Sequence, residues 1–379
     1  MAHQKHLFSL SDSVVYLNGA YMSPQLKSVE AIGVKSIQLK NTPYEVTPQD
    51  FFTNRVILKK RFATLIQSED YNDIAIIPSA SYGIATVANN ITLKKGDEIL
   101  LIEEQFPSNV YAWKNLVKKY NAVLKIVKPV AKATSRGESW NKAILDAINV
   151  KTAVVAMGHV HWADGTLFDL KEIRKKTNEI NSLLIIDGTQ SVGALPFSVA
   201  EIQPDALICA GYKWLLGPYS LGVAYYGAAF KNGKPLEDNW LNRKDSENFS
   251  QLVNYQDAYQ PKADRYCVGE SSNFILVPML INAIEQLLKW QPENIQAHCK
   301  EISKDAIVEL QAKGCFIEKW EYRSFHLFGI YLPDAMNLEE IKQRLLDANI
   351  YVSYRGKAIR ISCNMYNTKE DFDKLLACF

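Results

Sequence analysis

The chain has 379 residues, 47% hydrophobic and 11% aromatic, enough to bury a large core and to form two domains of unequal size. Its 43 basic and 41 acidic residues leave a formal charge of +2, which gives no sign of a nucleic-acid or membrane partner. Six cysteines, at 209, 267, 299, 315, 363 and 378, show neither CxxC spacing nor a regular framework, so thiols in a reducing compartment are expected in place of disulfides or zinc ligands. The opening MAHQKHLFSLSDSVVYL has no apolar leader core and no stretch is apolar enough to span a bilayer, so the expected location is the cytoplasm.

VVYLNGAYMS, within Ser9 to Ser23, is a short β-rich run broken at Asn18-Gly19, a common turn signal. Leu26 to Leu39 and Phe51 to Ile66 carry helical spacing. DIAIIP, Asp73 to Pro78, is a short buried strand, and in the SASYGIATVANNI that follows, Ser79 or Ser81 can cap a helix to about Asn90. A strand, a small-residue turn and a helix N-terminus offer an anion unpaired N–H groups and a positive dipole end, although a plain capped helix has the same pattern. Ile99 to Ile102 is the next strand, and Phe106 follows it ahead of an amphipathic helix. Leu124 to Val130 is a strand, Thr134 to Trp140 a polar loop, Ser139 to Asn149 a short helix, and Thr152 to Met157 another buried strand. In the loop behind it His159 and His161 stand two apart with no third ligand at suitable spacing, so no metal is expected.

SLLIIDGTQSVGALPF, Ser182 to Phe197, brings an apolar run to its end at Asp187. That puts an acid at the carboxyl end of a buried strand, where open α/β sheets bind ligands. Ala206 to Ala210 is a further buried strand, and Lys213 stands between it and a second apolar run, with Gly217, Pro218 and Gly222 forcing turns. Desolvation there disfavours the ammonium and leaves an amine able to form a Schiff base with a carbonyl. The alternative is a lysine whose stem packs on Trp214 while its head reaches water. Strands near 74, 99, 124, 153, 183 and 206 with helices between them predict a mainly parallel, doubly wound α/β sheet. None is followed by GxGxxG, which argues against a dinucleotide site.

Beyond Gly227 the chain turns polar and rich in Asn and Asp for longer than an ordinary loop. Val277 to Trp290, Ile295 to Ala312 and Leu338 to Ala348 are helices, and Phe316 to Glu318 and His326 to Tyr331 are strand-like. YVSYRGKAIRISCNMYNTKEDFDKLL closes the chain as a strand pair carrying Arg360 and a helix capped at Asn367-Thr368. An arginine on a strand such as AIRIS packs poorly unless it faces an anion, and its planar fork matches a carboxylate.

DGTQSVGALP followed by AGYKWLLGP resembles the class V aminotransferase superfamily of pyridoxal phosphate enzymes, a group that includes cysteine desulfurases, selenocysteine lyases, kynureninases and isopenicillin N epimerase-like proteins. The resemblance runs from Tyr16 to Thr368. It implies a fold type I transferase, with a large cofactor-binding domain over residues 20–260 and a smaller α+β domain made of 1–19 and 261–379. It implies pyridoxal 5'-phosphate as cofactor, with Lys213 as the Schiff-base lysine, Asp187 as the partner of the ring nitrogen and Gln190 as a donor to the ring hydroxyl. Ala80 and Ser81 are then the phosphate contacts, and Phe106 stacks on the ring where cysteine desulfurases carry histidine. Trp162 stands where they carry asparagine, so its indole N–H is expected to replace the amide donor. Tyr212 precedes the lysine, as in kynureninases, and Gly211 stands where many relatives have serine. The segment Gly269 to Asn273, with Gly269 and Ser271, is expected to cross a homodimer interface to the partner's cofactor phosphate. RISCNMYNT resembles the family's carboxylate-binding motif, which puts Arg360 on the substrate carboxylate and the turn at Asn18 near the substrate.

Tyr351 to Ile359 holds no cysteine where one branch of desulfurases carries its persulfide-forming residue, and strand alternation turns Cys363 away from the Arg360 face. The expectation is a homodimeric enzyme acting at Cα or Cβ of an amino acid, an aminotransferase or a selenocysteine lyase-like enzyme without a persulfide cysteine. A kynureninase-like hydrolase, an amino-acid epimerase and a noncatalytic protein that keeps the fold are the alternatives.

Overall fold

Runs such as IAII and ALICA are apolar at every position, so a strand made of them must be covered on both faces. In the computed structural model, which describes residues 3–130 and 135–379, these runs join others in one seven-stranded sheet. Numbering strands along the chain, β1 is Val15–Tyr16 and lies outside that sheet. The sheet contains β2 (Ile74–Ile77), β3 (Glu98–Ile102), β4 (Val123–Val127), β5 (Thr152–Gly158), β6 (Leu183–Asp187), β7 (Ala206–Ala210) and β8 (Gly222–Tyr226). Their order is β2-β8-β7-β6-β5-β3-β4, and only β8 runs against its neighbours. Helices Ala80–Asn89, Tyr111–Tyr120, Arg136–Ala147 and Leu170–Glu179 make the crossovers. This is the mainly parallel α/β architecture expected from the alternation of strands and helices.

Two local expectations are corrected. The stretch from Thr134 to Trp140 is helical from Arg136 onward, and Thr134 itself lies outside the described residues. Ser135 accepts the Glu138 N–H at 3.3 Å as the cap, and buried Trp140 donates its indole N–H to the Val127 carbonyl at 2.9 Å. The polar RGES run is therefore a helix start. Phe316 to Glu318 makes only an isolated bridge to Tyr331. The Glu318 carboxylate instead accepts from the Gly137 N–H at 2.6 Å, which draws the chain off the sheet.

A smaller sheet near the carboxyl terminus is β11-β12-β9, built from β9 (Leu327–Tyr331), β11 (Ser353–Arg355) and β12 (Ala358–Ser362), all antiparallel. Before it, β10 (Ile350–Tyr351) pairs in parallel with β1, which ties the start of the chain to its end. Helix Leu276–Trp290 packs on helices Lys27–Gln38 and Asp50–Leu65. The last helix, Lys369–Leu376, is closed by a Thr368/Asp371 capping box, as the sequence implies. No described helix is long and apolar enough to cross a membrane.

The parallel strands end at one edge, and one of the turns there depends on glycine. After β6 the chain reverses at Gly193, whose φ of +104° suits glycine, and a Cβ at this position would lie 2.2 Å from the Trp214 carbonyl oxygen. Gly193→Ala must therefore displace the backbone beside Lys213. We expect a loss of about 2–3 kcal/mol in urea-unfolding stability. An unchanged unfolding midpoint would show that this packing is soft.

Candidate active site

A cavity of about 290 Å³ opens at the carboxyl ends of the parallel strands. Gly158 from β5, Asp187 from β6 and Ala210 from β7 line it, together with Thr189 and Gln190 from the turn after β6. One wall is the turn after β2. There Ser79 caps the helix by accepting the Tyr82 N–H at 3.2 Å, with the Ser81 hydroxyl 2.9 Å away. The first N–H groups of that helix, at Ala80 and Ser81, have no intrahelical partner, and both residues line the cavity. Phe106 lines another wall and meets Trp162 edge to face, with ring centres 5.4 Å apart.

Lys213 enters through a turn held by three backbone bonds, Gly211 N–H to Leu221 at 2.8 Å, Gly217 N–H to Gly211 at 2.9 Å and Leu216 N–H to Lys213 at 3.0 Å. It is only 6% exposed. Its Nζ lies 5.2 Å from the Phe106 ring centre and 5.5 Å from that of Tyr212, and among the described residues no hydrogen bond or ion pair holds it. Burial pushes the amine down to about 8; Asp187 pulls it back up, while Arg360 and Arg355 push it further down. Asp187 is itself raised by burial, against the bonds it accepts from Thr189, one of them from the backbone N–H at 3.0 Å, and against the Lys213 charge.

A second cavity adjoins the first, sharing Phe106, Trp162, Tyr212, Lys213 and Tyr219, and is completed by Ala20, Tyr21, Met22, Arg355 and Arg360. Arg360 is 1% exposed. Its Nη1 donates to the Trp162 carbonyl at 2.9 Å and its Nη2 to the Ser353 hydroxyl at 3.2 Å, while Nε is buried without a partner. No carboxylate pairs with it among the described residues. Burial and the Arg355 charge press its pKa down to about 9, so it stays a cation at neutral pH.

The structure brings Lys213, Asp187, Gln190, Ala80, Ser81, Phe106, Trp162 and Tyr212 to the first cavity and Arg360 to the second. Gln190 donates one amide hydrogen to the Ala20 carbonyl at 3.1 Å and accepts from the Trp214 indole at 2.9 Å, which leaves its second amide hydrogen uncommitted. The expectation for Trp162 is corrected, because its indole N–H donates to the Glu104 carbonyl at 2.6 Å and is not free for a ring hydroxyl. Glu104 takes a φ of +52°, a local reversal that turns its carbonyl to the indole. Asn18 lines neither cavity; its side-chain oxygen accepts from the Ser353 hydroxyl at 2.7 Å, one step behind Arg360. Neither Gly269 nor Ser271 lines them. The Gly269 N–H donates to the Glu237 carboxylate, and the Ser271 hydroxyl is buried without a partner. At Gly211, a Cβ would lie 2.5 Å from the Leu221 carbonyl oxygen, so a serine has no room in this turn.

Sequence reasoning missed Thr189, Tyr219 and Arg355. Thr189 could have been suspected from its place beside Asp187. Its hydroxyl accepts the Ala210 N–H at 3.1 Å and so locks the two strand ends together. His161 turns inward to Asp164 at 3.0 Å, inside a buried group that also takes in Arg136 and Tyr331. Burial drives the other loop histidine, His159, down to about 3.

An amine with a depressed pKa, an acid at a strand end, a helix N-terminus with small side chains and an aromatic wall surround one cavity. That donor set fits pyridoxal phosphate, with its aldehyde, ring nitrogen, phosphate and flat ring. Fold and site thus define a pyridoxal phosphate-dependent enzyme built on a mainly parallel α/β sheet. The chain belongs to the aminotransferase class-V family, whose model matches residues 52–375. It is 26% identical over 314 residues to an uncharacterized aminotransferase of Bacillus subtilis, covering 83% of this chain and 80% of that one. A probable cysteine desulfurase of Borreliella burgdorferi is 23% identical over 397 residues, covering 96% and 90%. Among solved structures, a C-DES variant with glycine covalently linked to its pyridoxal phosphate superimposes with a TM-score of 0.86, at 18% identity and over 99% of this chain and 98% of that one.

The depressed lysine has a cost that can be measured without cofactor. Its folded pKa of about 8 lies below the ordinary value of 10.5, so the unfolded chain binds the proton more tightly and Lys213 destabilises the fold below pH 8. Lys213→Met should stabilise the cofactor-free protein at pH 7 by about 2–3 kcal/mol. The gain should shrink as pH rises from 8 to 10.5. Paired urea titrations of both proteins at several pH values check this, and a gain independent of pH would mean that the ammonium is not desolvated.

Proposed function

We propose that the protein transforms an α-amino acid at Cα or Cβ, as an aminotransferase or as a lyase that forms no enzyme persulfide, with the cofactor carried on Lys213. The observation that carries this reading is the buried Arg360 guanidinium, which has no carboxylate partner among the described residues and faces a cavity shared with Lys213. A guanidinium in that state matches a ligand carboxylate, which it can grip with two parallel hydrogen bonds.

When bound, pyridoxal phosphate supplies a carbonyl for the substrate amine and a ring that withdraws electrons from the amino-acid carbons. The chain's own residues do the rest. Arg360 fixes the carboxylate, and Ser353 and Asn18 behind it fix Arg360. The Lys213 amine, poised near neutrality, accepts the proton at Cα. Asp187 holds a proton at the ring nitrogen, and Thr189 orients its carboxylate. The N–H groups at Ala80 and Ser81 bind the phosphate. Phe106 covers the ring face without moving a proton, and Trp162 and Tyr212 keep water from the lysine. Gln190 offers its remaining amide hydrogen to the ring hydroxyl.

The six cysteines are all buried. Cys363 is fully buried with its Sγ 3.7 Å from the Phe325 carbonyl, and Cys267 accepts the Ile76 N–H at 3.4 Å with its thiol pushed up by burial. A buried thiol in such surroundings is a poor nucleophile. Action on cysteine or its selenium analogue would therefore be a β-elimination that releases free chalcogenide, with the three-carbon unit leaving as pyruvate and ammonia. The proposal includes a homodimer in which Gly269 and Ser271, which line neither cavity of their own chain, would reach the partner's cofactor phosphate.

Lys213→Ala should lose all borohydride-fixed cofactor; cofactor still fixed to the mutant chain would point to another lysine. Asp187→Asn should keep the cofactor but lower turnover by about a hundredfold or more, and undiminished turnover would remove Asp187 from its role. Cys363→Ser and Cys267→Ser should leave pyruvate and sulfide release from cysteine within about twofold, since neither thiol is placed to react. A large loss in either folded mutant would reinstate an enzyme persulfide.

A further inference from the structure

Arg355 has no task in the function proposed above, yet it lines the second cavity beside Arg360 and Lys213. It ends β11, opposite Ala358 of β12, and the turn that follows contains Gly356 at a φ of +55°. This tight hairpin holds Arg355 against the cavity wall. Its Nη1 donates to the Tyr354 carbonyl at 2.8 Å, its Nε is buried without a partner, and its guanidinium carbon lies 5.4 Å over the Trp162 ring centre. Among the described residues no carboxylate forms an ion pair with it. Two guanidinium cations and the Lys213 amine therefore face one space, and none of its described lining residues is an acid.

Such an arrangement is costly unless anions arrive to neutralise it. Arg360 accounts for one α-carboxylate. The cofactor phosphate does not account for Arg355, which does not line the first cavity, where the helix N-terminus at Ala80 lies. The contact with the Trp162 ring satisfies none of its donors.

We infer that the substrate is an amino acid with a second carboxylate on its side chain, and that Arg355 binds this group while Arg360 binds the first. The inference rests on the reading of this cavity as an amino-acid site. It makes Arg355 a specificity-determining residue, since a neutral side chain would leave its donors unpaired.

Unreactive acids test the pairing directly. Holoenzyme titrated calorimetrically with glutarate, succinate and butyrate should bind one of the dicarboxylates at least about tenfold more tightly than butyrate. In Arg355→Gln that preference should fall to within about twofold, and Arg355→Lys should restore part of it. The cofactor absorption spectrum of each variant confirms that the site is intact. Equal binding of all three acids to the natural protein, or a preference that survives Arg355→Gln, overturns the inference. If neutral amino acids still perturb the cofactor spectrum in that case, only the substrate class is wrong. If no amino acid and no carboxylate binds, the amino-acid site itself is misread.

Discussion

The site depends on one electrostatic constraint, the burial of positive charge without a bonded counter-ion. Lys213, Arg360 and Arg355 face a common space, and Asp187, the carboxylate among the described residues that acts on the lysine, makes no hydrogen bond or ion pair with it. At short range in a medium of low effective dielectric such charges repel by amounts that matter to folding. The structure tolerates them because each is held by something other than an acid. Backbone turns hold Lys213, the Trp162 carbonyl and the Ser353 hydroxyl hold Arg360, and the Trp162 face holds Arg355. What the protein lacks is anionic charge, and a phosphorylated cofactor and an amino-acid carboxylate both bring it.

The half of the site that lies on the large sheet was legible in the sequence. Each of its parts sits where an apolar run stops: Asp187 at the end of β6, the Ser79 turn after β2, Phe106 just beyond β3 and Lys213 just beyond β7. In a parallel sheet these ends fall on one edge by construction, so order along the chain was enough to predict that they meet. The desolvated lysine could be read for the same reason, because the runs flanking it had to be buried.

What the sequence could not show was where hydrogen bonds are spent. Trp162 was expected to offer its indole N–H to the cofactor, but a positive-φ residue at Glu104 turns a carbonyl to it. No propensity argument places that reversal. Asn18 was expected beside the substrate, yet its link to Ser353 spans 335 positions and follows from how two chain ends dock. Arg355 went unnoticed because an arginine next to a glycine in a hairpin looks like an ordinary solvated turn. Only the burial of its Nε separates it from that background.

The two cavities meet at Phe106, Trp162, Tyr212, Tyr219 and Lys213, and this shared boundary assigns different work to different parts of the chain. The first cavity is lined by strand ends and turns of one continuous run of βα units, so its geometry is as rigid as the sheet. The second takes Ala20, Tyr21 and Met22 from the beginning of the chain and Arg355 and Arg360 from near its end. Those segments are joined by the β1–β10 pair and by the Ser362 hydroxyl, which accepts the Ala20 N–H at 3.0 Å. A substitution there can alter what the substrate cavity accepts while leaving the lysine, the acid and the phosphate turn in place. On the function proposed above, substrate preference is therefore set by the pairing of these terminal segments, and chemistry by the sheet.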